Sequence, residues 1–112
     1  MQNKTFTGSI LVICAYRPKP GKYDDLLAIV REHVPVLQNL GLASDRTVHI
    51  MKAGDGTIVE VFEWASSKAI EEAHKHPVVM EMWGKFNDCC EYVNLADLGE
   101  AKHPFSDFEP IN

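Results

Sequence analysis

His74, His76, Trp83, Cys89 and Cys90 fall in one short run, AHKHPVVMEMWGKFNDCCEY, over residues 73–92. Imidazoles and thiols ligate transition metals and carry redox or nucleophilic chemistry, so their spacing must separate a site from ordinary packing. His74 and His76 are two apart, and on a helix their side chains would diverge by about 200°. Only an extended segment would bring both to one ion, and no Cys or carboxylate stands beside them at a spacing typical of zinc. His76 precedes Pro77. A residue before proline avoids helical backbone, and proline itself suits the first turn of a helix. The two histidines therefore read as a joint between helical segments, one of them placed to cap, and no metal is assigned. Cys89-Cys90 lacks the C-x-x-C spacing of a redox motif. Neighbouring helical side chains diverge by about 100°, so one thiol reads as core and the other as near the surface. Asp88 and Glu91 make the surroundings negative, which disfavours a thiolate.

Acid–base chemistry has better candidates on the strands. His49 shares a strand face with Thr47 and Met51, and Val48 and Ile50 share the other. If its face lines a cavity, its imidazole can act as acid or base near neutral pH; otherwise it is a hydrogen-bonded or solvent-facing histidine. Glu63 alternates with Val59 and Val61, and Glu60 with Ile58, Phe62 and Trp64. A carboxyl on an apolar face has a raised pKa and can abstract a proton, whereas one at a strand end in water does neither. Trp64 and Trp83 could stack a flat ligand between sheet and helix, or simply pack a small core. No G-x-G-x-x-G, P-loop or G-x-S-x-G occurs, so no nucleotide or flavin cofactor is assigned.

These residues are positioned by alternating strand and helix patterns. SILVICAYR (9–17) is apolar on both faces, as in a strand covered on both sides. Residues 22–40 place Tyr23, Leu26, Leu27, Val30, Val34 and Leu37 on one helical stripe, with Asp24 and Asp25 in the first turn and Gly41 beyond the end. Pro35 predicts a kink or restart near His33–Val34. RTVHIMKA (46–53) and TIVEVFEWA (57–65) predict a hairpin around Gly54-Asp55-Gly56. Ser66 or Ser67 caps a short helix. The next helix carries Val79, Met82, Trp83, Phe86 and Cys90, and EYVNLADL (91–98) is a fourth strand. The tail from residue 98 holds Phe105, Phe108 and Ile111 among prolines. We expect it to lie extended and to be free to wrap a partner subunit.

The order is β-α-β-β-α-β, a ferredoxin-like α+β arrangement with an antiparallel sheet and its helices on one face. The chain of 112 residues is the size of one domain, spanning 1–112 with a core at about 9–97. Because the first and third strands are apolar on the other face too, we expect a second copy to cover it, giving a two-fold homodimer. A net charge of -5 disfavours nucleic acid and anionic membrane surfaces as partners. The longest early apolar run, ILVICAY, is far short of the ~20 residues of a membrane span and lacks a cleavage signal. A cytoplasmic location with reduced Cys14, Cys89 and Cys90 is expected.

The stretches YRPKPGKYDDLLAIVREHVPVL and DGTIVEVFEWASSKAIEEAHKHPVV, with the later MW, resemble the antibiotic biosynthesis monooxygenase-like family of dimeric α+β barrels. The likeness spans roughly residues 9–95 and rests on the order of elements more than on functional residues. It implies a pocket between sheet and helices, which we assign to Tyr16, Glu60, Trp64, His74, Trp83 and Phe86. His49 and Glu63 are the candidate catalytic groups. The resemblance implies cofactor-independent oxygenation of a small aromatic or hydrophobic molecule; a non-catalytic binding or sensing module and an acid–base isomerase are the alternatives. Haem cleavage, known in one branch of the family, fits least. The branch's first-strand Asn is not evident, and Ala73 and Trp83 fall where it keeps a helix Trp and an iron-binding His.

Overall fold

The computed structural model describes residues 8–112; residues 1–7 of the expected domain lie outside the described residues. The chain runs β1 (Ile10–Pro18), α1 (Tyr23–Asn39), β2 (His49–Lys52), β3 (Ile58–Trp64), α2 (Ser67–Ala73), α3 (Pro77–Cys89) and β4 (Cys90–Val93). Two 3-10 turns, Leu95–Asp97 and Gly99–Lys102, and a short β5 (Glu109–Pro110) follow. Among the described residues it is an α+β fold: five antiparallel strands in the order β4-β1-β3-β2-β5, with three helices.

The local chemistry explains most boundaries. Gly41, at φ +74°, lets α1 end in a Schellman turn, with Leu42 N–H bonded to Leu37 C=O and Gly41 N–H to Gln38 C=O. The Ser66 hydroxyl accepts from Ala69 N–H and starts α2. His76 Nδ1 accepts from Val78 N–H and Pro77 opens α3, so the HKHP joint forms as its residues dictate. Gly56, at φ +91°, closes the β2–β3 hairpin, and the Asp55 carboxylate accepts from Thr57 N–H.

Pro35 is a correction. No restart occurs at His33–Val34, and α1 runs unbroken from Tyr23 to Asn39. Leu26, Val30, His33 and Val34 are buried before the proline and Leu37 after it. Packing on both sides outweighs the one backbone bond the proline removes.

The register sets two faces. Val12 lies opposite Phe62, Cys14 opposite Glu60, and Ile50 opposite Glu60 from the other side. These residues and their face neighbours share a core with Leu26, Val30 and Leu37 of α1 and Val79 and Phe86 of α3. The opposite face, which a second copy was expected to cover, is partly covered by the chain itself. Leu98 is buried against Ala15, Ala53 and Val59, with Phe108 beside them. The tail is thus not extended throughout: two 3-10 turns fold over the sheet, and β5 then adds to the edge of β2. Asn112 completes the edge, accepting from Ile50 N–H and donating to Val48 C=O. Beyond the reach of the tail, Leu11 and Ile13 remain 56% and 51% exposed.

Leu98→Ala is expected to cost about 3 kcal/mol by chemical denaturation, as for other buried leucines. Phe105→Ser, at a side chain 90% exposed, should stay within about 0.5 kcal/mol of the parent. Equal effects would mean that the tail does not dock on the sheet.

Candidate functional site

A cavity of about 640 Å³ lies between the helix-covered face of β1 and β3 and the helices α2 and α3. Tyr16, Trp64, His74, Trp83 and Phe86 line it, so five of the six expected pocket residues come together. The sixth, Glu60, does not reach the cavity surface. It is fully buried behind Tyr16 and His33 and bonded to both.

His33 is the residue that the sequence reading passed over. It is buried on α1 and lines the cavity. Its position was readable: it stands three residues after Val30 and seven after Leu26, on the apolar stripe. A histidine there must be buried, and a buried imidazole needs partners. Nδ1 lies 2.9 Å from Glu60 Oε1, and the Trp83 indole Nε1 lies 3.2 Å from His33 Nε2. An indole N–H only donates, so Nε2 is the accepting nitrogen. The ring is then neutral, with its proton on Nδ1 donated to Glu60. A flipped ring would set carbons against both partners. The rings of Phe62 and Phe86 hold it edge-on, with centroids 5.4 and 5.0 Å away.

Tyr16 completes the array. Its hydroxyl donates to the same Glu60 Oε1 at 2.8 Å. Glu60 Oε1 therefore accepts twice, while Glu60 Oε2 is buried with no partner among the described residues. Burial first, and the nearby Glu60 carboxylate second, raise the Tyr16 phenol well above its usual range. Burial likewise pushes the Cys14 thiol up to about 11. Neither group is ionised at neutral pH.

The two expected catalytic residues lie elsewhere. His49 is exposed on the face away from the helices, opposite Val61, and does not line the cavity. Strand alternation gives the helix side to Ile50 instead. Glu63 sits on that outer face too, and its carboxyl is lowered, not raised. The Ser44 hydroxyl donates to it at 2.7 Å, and Arg46 Nε pairs with its other oxygen at 3.0 Å. It anchors the loop before β2 and is not a base aimed at a ligand. His74 and His76 are also separate: His74 Nδ1 meets Ile70 C=O at 2.8 Å and rests on the Trp83 ring, while His76 caps α3. Cys89 and Cys90 are both buried, where one had been expected near the surface.

Among the described residues, the cavity lining carries no Lys, Arg, Asp or Glu. Its polar groups are hydroxyl, thiol, amide, indole and imidazole, set among aromatic and aliphatic walls. Such a lining has the chemistry of apolar walls with a few hydrogen-bonding groups set among them. The chain matches no protein-family model, and no curated protein or solved structure is significantly similar to it.

Glu63 ties this geometry to pH. Its folded-state pKa lies below the ordinary 4.5, so its stabilisation is whole above that value and is lost as pH falls through the folded-state pKa. Ser44→Ala, which removes the hydroxyl that does most to lower this carboxyl, is expected to lower the melting temperature at neutral pH, with the gap closing in acid well below pH 4.5. A gap of equal size at both pH values would assign the loss to packing instead.

Proposed function

We propose that the chain is one subunit of a ferredoxin-like dimeric α+β barrel that takes a small aromatic or otherwise hydrophobic molecule into the cavity between sheet and helices. The observation that carries this reading is the cavity itself: about 640 Å³, walled by aromatic rings and, among the described residues, without a fixed charge at its surface. That volume falls in the range of small-molecule sites. The element order and the adjacency β4-β1-β3-β2 support the ferredoxin-like assignment. The exposed Leu11 and Ile13 on the outer sheet face support association with a second copy. No helix is long and apolar enough to cross a membrane, among the described residues.

The reaction proposed is oxygenation without a resident nucleotide cofactor. The bound molecule, once deprotonated, reduces oxygen directly. One oxygen atom enters the substrate and the other leaves as water, as when a phenol becomes a quinone. The resemblance to the monooxygenase-like family points the same way. A second reading, binding without turnover, is favoured by the raised pKa values of Tyr16 and Cys14, which leave the cavity without an ionised nucleophile at neutral pH.

Oxygen-electrode measurements with hydroquinone-type compounds separate the two: uptake that requires both protein and substrate supports oxygenation, and saturable binding with no uptake supports the binding module. Gly84 offers an internal control. It lines the cavity from α3, and a Cβ there would meet nothing within 4 Å. Gly84→Ala should stabilise the helix by up to about 1 kcal/mol. Gly84→Leu should keep the fold and weaken aromatic binding by about tenfold or more, since an added side chain competes for the same space. Native mass spectrometry at micromolar concentration is expected to give a dimer; a clean monomer of 12.6 kDa would contradict the barrel.

A further inference from the structure

From the Trp83–His33–Glu60–Tyr16 array we infer that His33 is the general base of this cavity, that Glu60 is its positioning residue, and that Trp83 holds the place a ligand hydroxyl takes. The inference rests on the proposed small-molecule reading and deepens it.

His33 Nε2 is the one strong nitrogen acceptor in the array that faces the cavity, and its present donor is an indole N–H at the long distance of 3.2 Å. Trp83 is only partly buried and sits on the cavity wall. A ligand hydroxyl makes a shorter, better hydrogen bond to the same lone pair. The indole therefore satisfies Nε2 while the cavity is empty and yields it when a donor arrives. An acceptor-only group, such as a carboxylate or a ketone, meets a lone pair there and gains nothing.

The proton then has a defined route. The ligand O–H bond breaks, the proton bonds to His33 Nε2, and the electron pair stays on the ligand oxygen. The imidazolium that forms keeps its Nδ1–H on Glu60 Oε1. A carboxylate at 2.9 Å stabilises that cation, more so in a site closed to water. Glu60 is suited to this because its burial is fixed from two sides, by Tyr16 from β1 and by His33 from α1. The second Glu60 oxygen is buried and has no partner among the described residues, so the array holds an acceptor that they leave unsatisfied. Among the described residues, the titratable groups facing His33 and its cavity are Glu60 from β3, Cys14 and Tyr16 from β1, Tyr92 from β4 and His74 at the end of α2. Among the described residues, no lysine or arginine lines the cavity to oppose protonation.

The test uses 4-nitrophenol, whose phenolate is yellow, with binding read by calorimetry and ionisation by absorbance. In the parent protein the bound probe is expected to be at least about tenfold more ionised than in His33→Gln, which is one unit of probe pKa. Glu60→Gln should bind the probe and fail to ionise it, and Glu60→Asp should restore part of the ionisation. A purely structural role for Glu60 would instead lower binding and melting temperature together. Trp83→Phe keeps a ring on the wall and removes the competing N–H, so binding should tighten with ionisation retained. Equal ionisation in parent and His33→Gln overturns the assignment. Should His33→Gln not fold, equal ionisation in parent and Glu60→Gln does so. Binding without ionisation in the parent overturns the base alone and leaves the cavity reading standing. No binding by any probe of this class removes the cavity reading, and the base with it.

Discussion

Glu60 is a carboxyl group with no exposed surface, placed on the central strand β3 between β1 and β2. Taking such a group out of water costs several kcal/mol unless hydrogen bonds replace those that water supplied. Two elements provide them, Tyr16 from β1 and His33 from α1. The compensation therefore also fixes how helix and sheet meet. It sets the face of α1 that turns inward, the orientation of the His33 ring and the position of the Tyr16 hydroxyl. Stability and site geometry rest on the same bonds here, so the array cannot be relaxed without disturbing the core around Phe62 and Phe86.

The sheet has unlike surroundings on its two sides. Toward the helices, large rings do not close the space between β1 and α3, and a cavity remains where Gly84 adds no side chain. On the other side the C-terminal turns cover part of the sheet through Leu98 and Phe108, and leave Leu11 and Ile13 open. Polar groups follow the same division. Glu60 and His33 are held inside, where water is excluded and electrostatic interactions are strong. Glu63 and Arg46 pair at the rim, where the gain from an ion pair is small and the partners chiefly shape a loop.

Much of the fold was legible in the chain because periodicity and punctuation agreed. The apolar stripe of α1, the Gly41 ending, the Gly54-Asp55-Gly56 hairpin and the His76-Pro77 joint each have a local physical cause. Alternation along β3 separated Glu60 from Glu63 correctly. It did not say which face the helices would cover, and so it did not say which carboxyl would be enclosed. His49 was misplaced for the same reason: a two-residue period has two faces, and tertiary packing chooses between them. The tail was misread because Leu98 docks through long-range contacts with Ala15 and Val59, which leave no local pattern. His33 was legible in principle, since its place on the stripe two residues before Pro35 already required buried partners.

The ligand-free protein at neutral pH should carry His33 as a neutral ring with its proton on Nδ1 and a bare Nε2, because Glu60 accepts on one side and Trp83 donates on the other. Long-range proton–nitrogen correlation in nuclear magnetic resonance distinguishes this form from the others directly. Observation of the Nδ1–H tautomer is the predicted result. A proton on Nε2 in the neutral ring would contradict it, since that form sets a donor against the Trp83 indole and turns an unprotonated nitrogen toward Glu60.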